Sequence, residues 1–332
     1  MLPNISLYLK SLELKPEARF ENMTVFPLFH DHGPGVRYLT LDEALDLRVI
    51  EVTEVSESGE VPNLLVANKG EIPILILAGE ELVGAKQNRL VNATFLVAGL
   101  STLTVPVSCV EQGRWHYQER EFKSEKRMSS PQLRSVVQED VSCSVRERRG
   151  YRADQSRVWE DIAGKSARMQ VHSDTLAMAA LYESYDDHLK DYTTQFPRLP
   201  GQTGFLAAIN RSLAGLELFD TADHLTKYFD KLMQSYALDA LDLKRQKPRP
   251  TAPATKAQAE SWMTEVKNAP VAAYPSLGLG LDLRLEGKGF VGSGLLHDET
   301  LVYLSVFARA VENVQDRSVS RMARASRRGN FR

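Results

Sequence analysis

The chain has 332 residues, with 41 Lys and Arg against 43 Asp and Glu, for a formal net charge of −2. At 43% hydrophobic and 25% charged it has the composition of a soluble globular protein, long enough to bury a core without staples. No run of about 18 apolar residues is present, Met1-Leu-Pro-Asn-Ile5 lacks a signal-peptide layout, and Cys109 and Cys143 are too few for a disulfide framework or a closed zinc site. A cytoplasmic protein with no membrane segment is expected, and the near-neutral charge leaves nucleic acid unsupported as a partner.

Thr40 and Glu43 have the spacing of a capping box and predict a short helix over Leu41–Leu47. A β run at Val49–Val55 follows. Residues 63–78 then read as two apolar runs turning at Asn68-Lys69-Gly70, a hairpin, with Pro73 near the start of the second run. Runs at Arg89–Val97 and Leu103–Val110 complete a β-rich, sandwich-like first third. Glu121–Arg152 is highly charged, with Arg146, Arg148, Arg149 and Arg152 around Gly150, and reads as a mobile or partly extended connection. Helices are expected over Asp154–Ala167 and Ser173–Lys190, before Pro197 and Pro200.

Phe205–Asn210 and Gly215–Phe219 form a second candidate hairpin. Asp220 or Thr221 caps the next helix, whose Leu225, Phe229, Leu232, Met233 and Tyr236 recur at helical spacing. Residues 247–254 are a Pro-rich linker, and Leu279–Glu286, Gly289–Leu296 and Leu301–Phe307 read as a three-stranded meander. The fold class is therefore α+β: mostly antiparallel sheets, an inserted helical segment and a carboxy-terminal meander. One compact domain is expected over residues 1–310, β-rich to 120, helical from 121 to 200 and α+β from 201. Residues 311–332 form a basic tail with Arg317, Arg321, Arg324, Arg327, Arg328 and Arg332, either solvated or an arm for an acidic partner.

Two segments concentrate chemistry. Ala78-Gly-Glu-Glu-Leu-Val-Gly-Ala-Lys-Gln-Asn-Arg89 lies between apolar runs yet is mostly polar and small. Gly79 and Gly84 permit close backbone approach. Lys86, Gln87, Asn88 and Arg89 suit phosphate, carboxylate or ribose hydroxyls, with Arg89 able to form a bidentate fork. In the second segment, a strand ends in Glu111, Gln112, Arg114, Trp115 and His116 around Gly113. Trp115 offers a face for a base, Arg114 a phosphate partner, and Glu80 or Glu111 an acid/base. Gln155, one helical turn before Trp159, adds an amide. The competing reading makes these residues a solvated hairpin end and a strand-end salt bridge under a structural Trp. The functional reading requires the two segments to meet.

Other features carry less. His30-Asp31-His32 alternates imidazoles without a second cluster and reads as a loop. Cys109 reads as a packed thiol. The glycines near 278 and 287 complete no dinucleotide fingerprint, and no phosphate loop is present. No cofactor or metal follows from these motifs.

At Gly84-Ala-Lys-Gln-Asn-Arg89, Val107-Ser-Cys-Val-Glu-Gln-Gly-Arg-Trp115 and Asp154-Gln-Ser-Arg-Val-Trp159 the chain resembles the ADP-ribosylglycohydrolase- and rhodanese-phosphatase-associated protein family. The likeness continues through Gly215-Leu-Glu-Leu-Phe219 and Ser235-Tyr-Ala-Leu-Asp-Ala240, spanning most of residues 20–310. Related sequences tend to have Gly-Gly before Lys-Gln, where this chain has Gly84-Ala85. The resemblance implies company in ADP-ribose metabolism and bacterial conflict systems, hence an ADP-ribose or nucleotide ligand. The alternative is a non-enzymatic scaffold or assembly protein whose polar motifs are structural.

Overall fold

The computed structural model describes residues 5–31, 33, 35–56, 62–115, 121–246 and 252–309. The expected basic tail from 311, His32, His116 and the linker from 247 to 251 lie outside the described residues.

Helix α1 (Ile5–Lys10) leads into strands β1 (Glu13–Leu14), β2 (Ala18–Phe20), β3 (Met23–Phe29) and β4 (Leu39–Thr40). Helix α2 (Leu41–Asp46) follows, then β5 (Ile50–Glu54), β6 (Asn63–Asn68), β7 (Ile74–Ile76) and β8 (Glu80–Gly84). Next come β9 (Arg89–Val91), β10 (Phe95–Val97), β11 (Ser101–Cys109) and β12 (Phe122–Met128). The helical middle is α3 (Pro131–Arg146), α4 (Gln155–Met169), α5 (Ala179–Ser184) and α6 (Asp186–Gln195). Strands β13 (Gly204–Ile209) and β14 (Ser212–Phe219) precede α7 (Ala222–Gln246) and α8 (Lys256–Lys267). Strands β15 (Val271–Pro275), β16 (Leu281–Glu286), β17 (Phe290–His297) and β18 (Thr300–Ala308) end the described chain.

The fold is α+β. Nine strands form one sheet in the order β1-β3-β13-β14-β18-β17-β16-β15, with β2 also on β3. Six form a second, β12-β8-β9-β11-β6-β5, and a bridge between Thr53 and Glu121 brings its two edges together. The third sheet is β10-β7-β4, whose β4–β7 pair is parallel. The capping box on α2 forms with both bonds in place, and Thr221 caps α7 by accepting from His224 N. Leu225, Phe229, Leu232, Met233 and Tyr236 are all buried, so the apolar face read from their spacing is the one that packs.

Four expectations are corrected. The runs around Asn68-Lys69-Gly70 are not a hairpin: β6 pairs with β5 and β11, β7 with β10 and β4. Asn68 explains the difference. Its Nδ2 donates to Ile72 O and Ala98 O, and its Oδ1 accepts from Gly70 N, pinning a turn that carries the chain into another sheet. The single run Arg89–Val97 is likewise two strands, broken where Asn92 bonds Tyr151 O and Ser108 Oγ and where Thr94 accepts from Ala78 N.

Glu121–Arg152 is not a mobile or partly extended connection but holds β12 and α3. Leu133, Val137, Val141 and Val145, four residues apart, bury one face of α3, and the bunched arginines lie at and beyond its end. The helix expected over Ser173–Lys190 begins only at Ala179 and breaks at Tyr185, because Ala177 bridges Glu111 and Thr175 O accepts from Gly113 N.

Among the described residues, no helix is long and apolar enough to cross a membrane. A Cβ on Gly84, at φ +135°, would lie 2.5 Å from the Glu121 carbonyl, whereas Gly150, at φ +75°, faces open space. Gly150→Ala is expected to cost about 1 kcal/mol from backbone strain alone, and Gly84→Ala roughly 3 kcal/mol or more. Chemical denaturation of both variants checks this; equal losses would contradict it.

Candidate functional site

Strands β8 and β9 pair Glu81 with Leu90 and Leu82 with Arg89, leaving a tight turn between them. Arg114, from the segment after β11, reaches into that turn. Its two terminal nitrogens donate to Ala85 O at 2.7 Å, Gly84 O at 3.3 Å and Asn88 Oδ1 at 2.9 Å. Its Nε donates to Glu111 Oε2 at 2.8 Å. The same carboxylate oxygen accepts from Asn88 N at 3.2 Å, while Oε1 accepts from Thr175 Oγ1 at 3.0 Å. Gln87 Nε2 donates to Glu111 O at 2.9 Å. The two polar segments therefore meet. Arg114 and Glu111 are buried, 3% and 6% exposed, so the meeting is a sealed network rather than an open row of charges.

A second layer lies behind it. Arg89 is fully buried and donates to Gln87 Oε1 at 2.9 Å and Cys109 Sγ at 3.0 Å, with Glu54 at 3.5 Å. Burial raises the Glu54 carboxyl, with Arg89 opposing. Gln155 clamps the end of β11 from α4: its Oε1 accepts from Cys109 N and its Nε2 donates to Cys109 O, both at 2.7 Å. Burial pushes the Cys109 thiol up, so it is no ready nucleophile. Trp115 is 48% exposed and lies under two cations, Lys86 at 5.4 Å and Arg89 at 5.7 Å from its ring centre. Gln112 is exposed, and Trp159 is half-buried.

Strand alternation separates the two neighbouring acids. Glu80 accepts from Leu77 N at 2.6 Å and from Lys231, which also bonds Asp42 at 2.8 Å, a buried triad on the α7 side. Glu81 faces the other way, toward Asn88 Nδ2 at 3.4 Å, and its Oε2 has no partner among the described residues. Glu80, expected as an acid/base, is thus held by Lys231 and does not join the Arg114 network; Glu81 does.

Beside the network a hollow of about 370 Å³ opens to solvent. Asn88, Glu111 and Arg114 form one wall; Glu125 and Arg127 come from β12, and Ser173 and Thr175 from the run before α5. Arg127, 19% exposed in its side chain, pairs at 3.2 Å with Glu183, 63% exposed. Of the residues singled out from sequence, Asn88, Glu111 and Arg114 line this hollow; Lys86, Gln87, Arg89, Gln112, Trp115, Gln155 and Glu80 do not. Arg127 and Thr175 were missed because each comes from a segment read as a connection or a helix. No alternation marks Phe122-Lys-Ser-Glu-Lys-Arg-Met128 as a strand, since its five central residues are all polar.

His30 Nε2 bonds the Phe219 carbonyl at 2.7 Å. Among the described residues no group of three or more His, Cys, Asp or Glu is placed to hold a metal ion.

Residues 11–307 match the family model described as the ARG and Rhodanese-Phosphatase-superfamily-associated Protein domain, and the chain belongs to that family. No curated protein and no solved structure matches it.

Burial pushes the Glu81 carboxyl from 4.5 up to about 7, against the opposing pull of Arg127 and the Asn88 hydrogen bond. The folded state keeps that proton where the unfolded chain has lost it. The resulting stabilisation is complete below pH ~4.5 and is lost as the pH rises through about 7. Glu81→Gln is expected to change stability little near pH 4.5 and to raise it by up to about 3 kcal/mol at pH 8. Denaturant unfolding at both pH values checks this; an equal effect at both would contradict it.

Proposed function

We propose that this member of the family is a binding protein for a phosphorylated nucleoside of the ADP-ribose type, seated in the hollow beside the Glu111–Arg114 pair. The observation that carries the reading is the convergence of the two polar segments, through the buried Glu111–Arg114 pair, on one side of a hollow that opens to solvent. At about 370 Å³ the hollow falls within the range of small-molecule sites. Its chemistry is mixed: Glu111, Glu125, Asn88, Ser173 and Thr175 supply acceptors and hydroxyls suited to ribose hydroxyls. Arg127 is the cation with something to give, since its partner Glu183 is mostly exposed and can yield to a phosphate.

This assignment shifts roles between residues. Arg114 spends its donors on Glu111, Asn88 and the turn carbonyls, and Arg89 has no exposed surface; both hold the wall rather than the ligand. The half-exposed Trp115 offers its indole as a stacking face for the outer part of a ligand. The ADP-ribose identity leans on the family's name, an association. The non-enzymatic scaffold has an observation of its own in the burial and protein-only partners of Arg89.

Isothermal titration of ADP-ribose into the full chain separates the two. Saturable binding, weakened about tenfold or more by Arg127→Ala and by Thr175→Val in folded protein, is expected. That loss corresponds to one or two hydrogen bonds to a charged group. No binding by folded wild-type protein would overturn the proposal and leave the scaffold.

A further inference from the structure

Helix α3 is apolar on one face and polar on the other. Ser135, Gln138, Ser142 and Arg146, three or four residues apart, meet the carboxy-terminal sheet. Ser135 Oγ donates to Ala308 O at 3.2 Å, Gln138 Nε2 donates to Ser293 Oγ at 2.6 Å and Ser305 Oγ at 2.8 Å, and Arg146 pairs with Glu286 at 3.1 Å. On β16 the side chains of Asp282, Arg284 and Glu286 alternate onto the sheet face opposite Leu281, Leu283 and Leu285. The contact is a polar seam, and one part of it is unfinished.

Arg284 is 4% exposed. Its Nε donates to Asp282 Oδ2 at 2.7 Å and its guanidinium carbon lies 5.7 Å from the Tyr151 ring centre. Both terminal nitrogens are buried with no partner among the described residues, as are Ser142 Oγ and Gln138 Oε1. Buried guanidinium N–H groups without acceptors are costly and rare, and bulk water does not reach these. Arg284, Ser142 and Arg146 border a hollow of about 260 Å³ whose remaining wall includes Pro270, Ala272, Tyr274 and the carboxylate Glu286. It shares no lining residue with the Glu111 hollow.

We infer that this hollow is a second binding site, for a small organic carboxylic acid. The two terminal nitrogens of Arg284 form an end-on fork that matches a carboxylate's two oxygens. Ser142 Oγ supplies a further donor, and Pro270, Ala272 and Tyr274 suit an apolar carbon body. Arg146, 59% exposed in its side chain and paired with Glu286, stands at the rim of the hollow. The fork is sealed, so entry is coupled to a side-chain rotation in the wall.

Titrating the full chain with sodium benzoate, benzamide and inorganic phosphate at equal ionic strength tests the inference. Saturable benzoate binding is expected, at least tenfold tighter than benzamide or phosphate. Arg284→Met alone orphans Asp282, so it is paired with Asp282→Asn, which keeps the site neutral. Ala272→Glu, exposed on the end strand β15 and opposite Arg284 in register, sets a negative charge at the wall. Both variants should weaken benzoate at least tenfold. No benzoate binding by wild type, equal binding of benzamide, phosphate in preference to benzoate, or a response that survives in both variants would each overturn it. The ADP-ribose titration is independent of these results.

Discussion

The buried Arg114–Glu111 pair joins three pieces of backbone: the β8–β9 turn, the end of β11 and the run before α5. Removing two charges from water costs several kcal/mol per ion, and their mutual attraction offsets this only when the remaining donors and lone pairs are also filled. Here they are. Arg114 donates to two turn carbonyls and an amide oxygen besides the carboxylate, and Glu111 accepts from a backbone N–H and a threonine hydroxyl as well. The hollow exists because this crosslink holds one wall in place while Arg127 and Glu125 on β12 supply another.

Charge placement elsewhere follows the same physics. Glu217 lies in the core with no exposure, bonded by Arg134 at 2.7 Å and by the hydroxyls of Tyr236 and Tyr303 at 2.9 and 2.5 Å. Asp239 accepts from Lys165 and from Gln132 N, and Glu80 from Lys231. Each of these ties a helix of the middle or α7 to a strand or to another helix. Networks of this kind add specificity to the packing, since a shifted helix would strand a buried charge. Against that background Glu81 behind Asn88 and Arg284 in the seam under α3 each have buried polar atoms without a partner among the described residues.

Much of the fold was legible in local chemistry. The α2 capping box, the β13–β14 hairpin, the apolar face of α7 and the last three strands all depend on residues close in sequence, and all form. What the sequence hid is where polar side chains act at a distance. Asn68 reaches Ala98 and Asn92 reaches Tyr151, so two apparently continuous β stretches divide between sheets. The charges of β12 and α3 suggested solvent, yet Arg134 is buried against Glu217, a partner 83 residues away. At the site, the meeting of the two motifs was foreseeable from their polarity at neighbouring strand ends. The burial of Arg89 and Arg114 was not, because a cation reads the same in sequence whether it faces a ligand or a carbonyl.

A double-mutant cycle on Glu111→Leu and Arg114→Met, followed by denaturant unfolding, tests the crosslink most directly. If the pair holds the wall, each single variant strands a buried charge and loses about 3–5 kcal/mol, while the double variant loses little more than either alone. Small, additive losses would mean that the two side chains are solvated neighbours and that the hollow's wall stands without them.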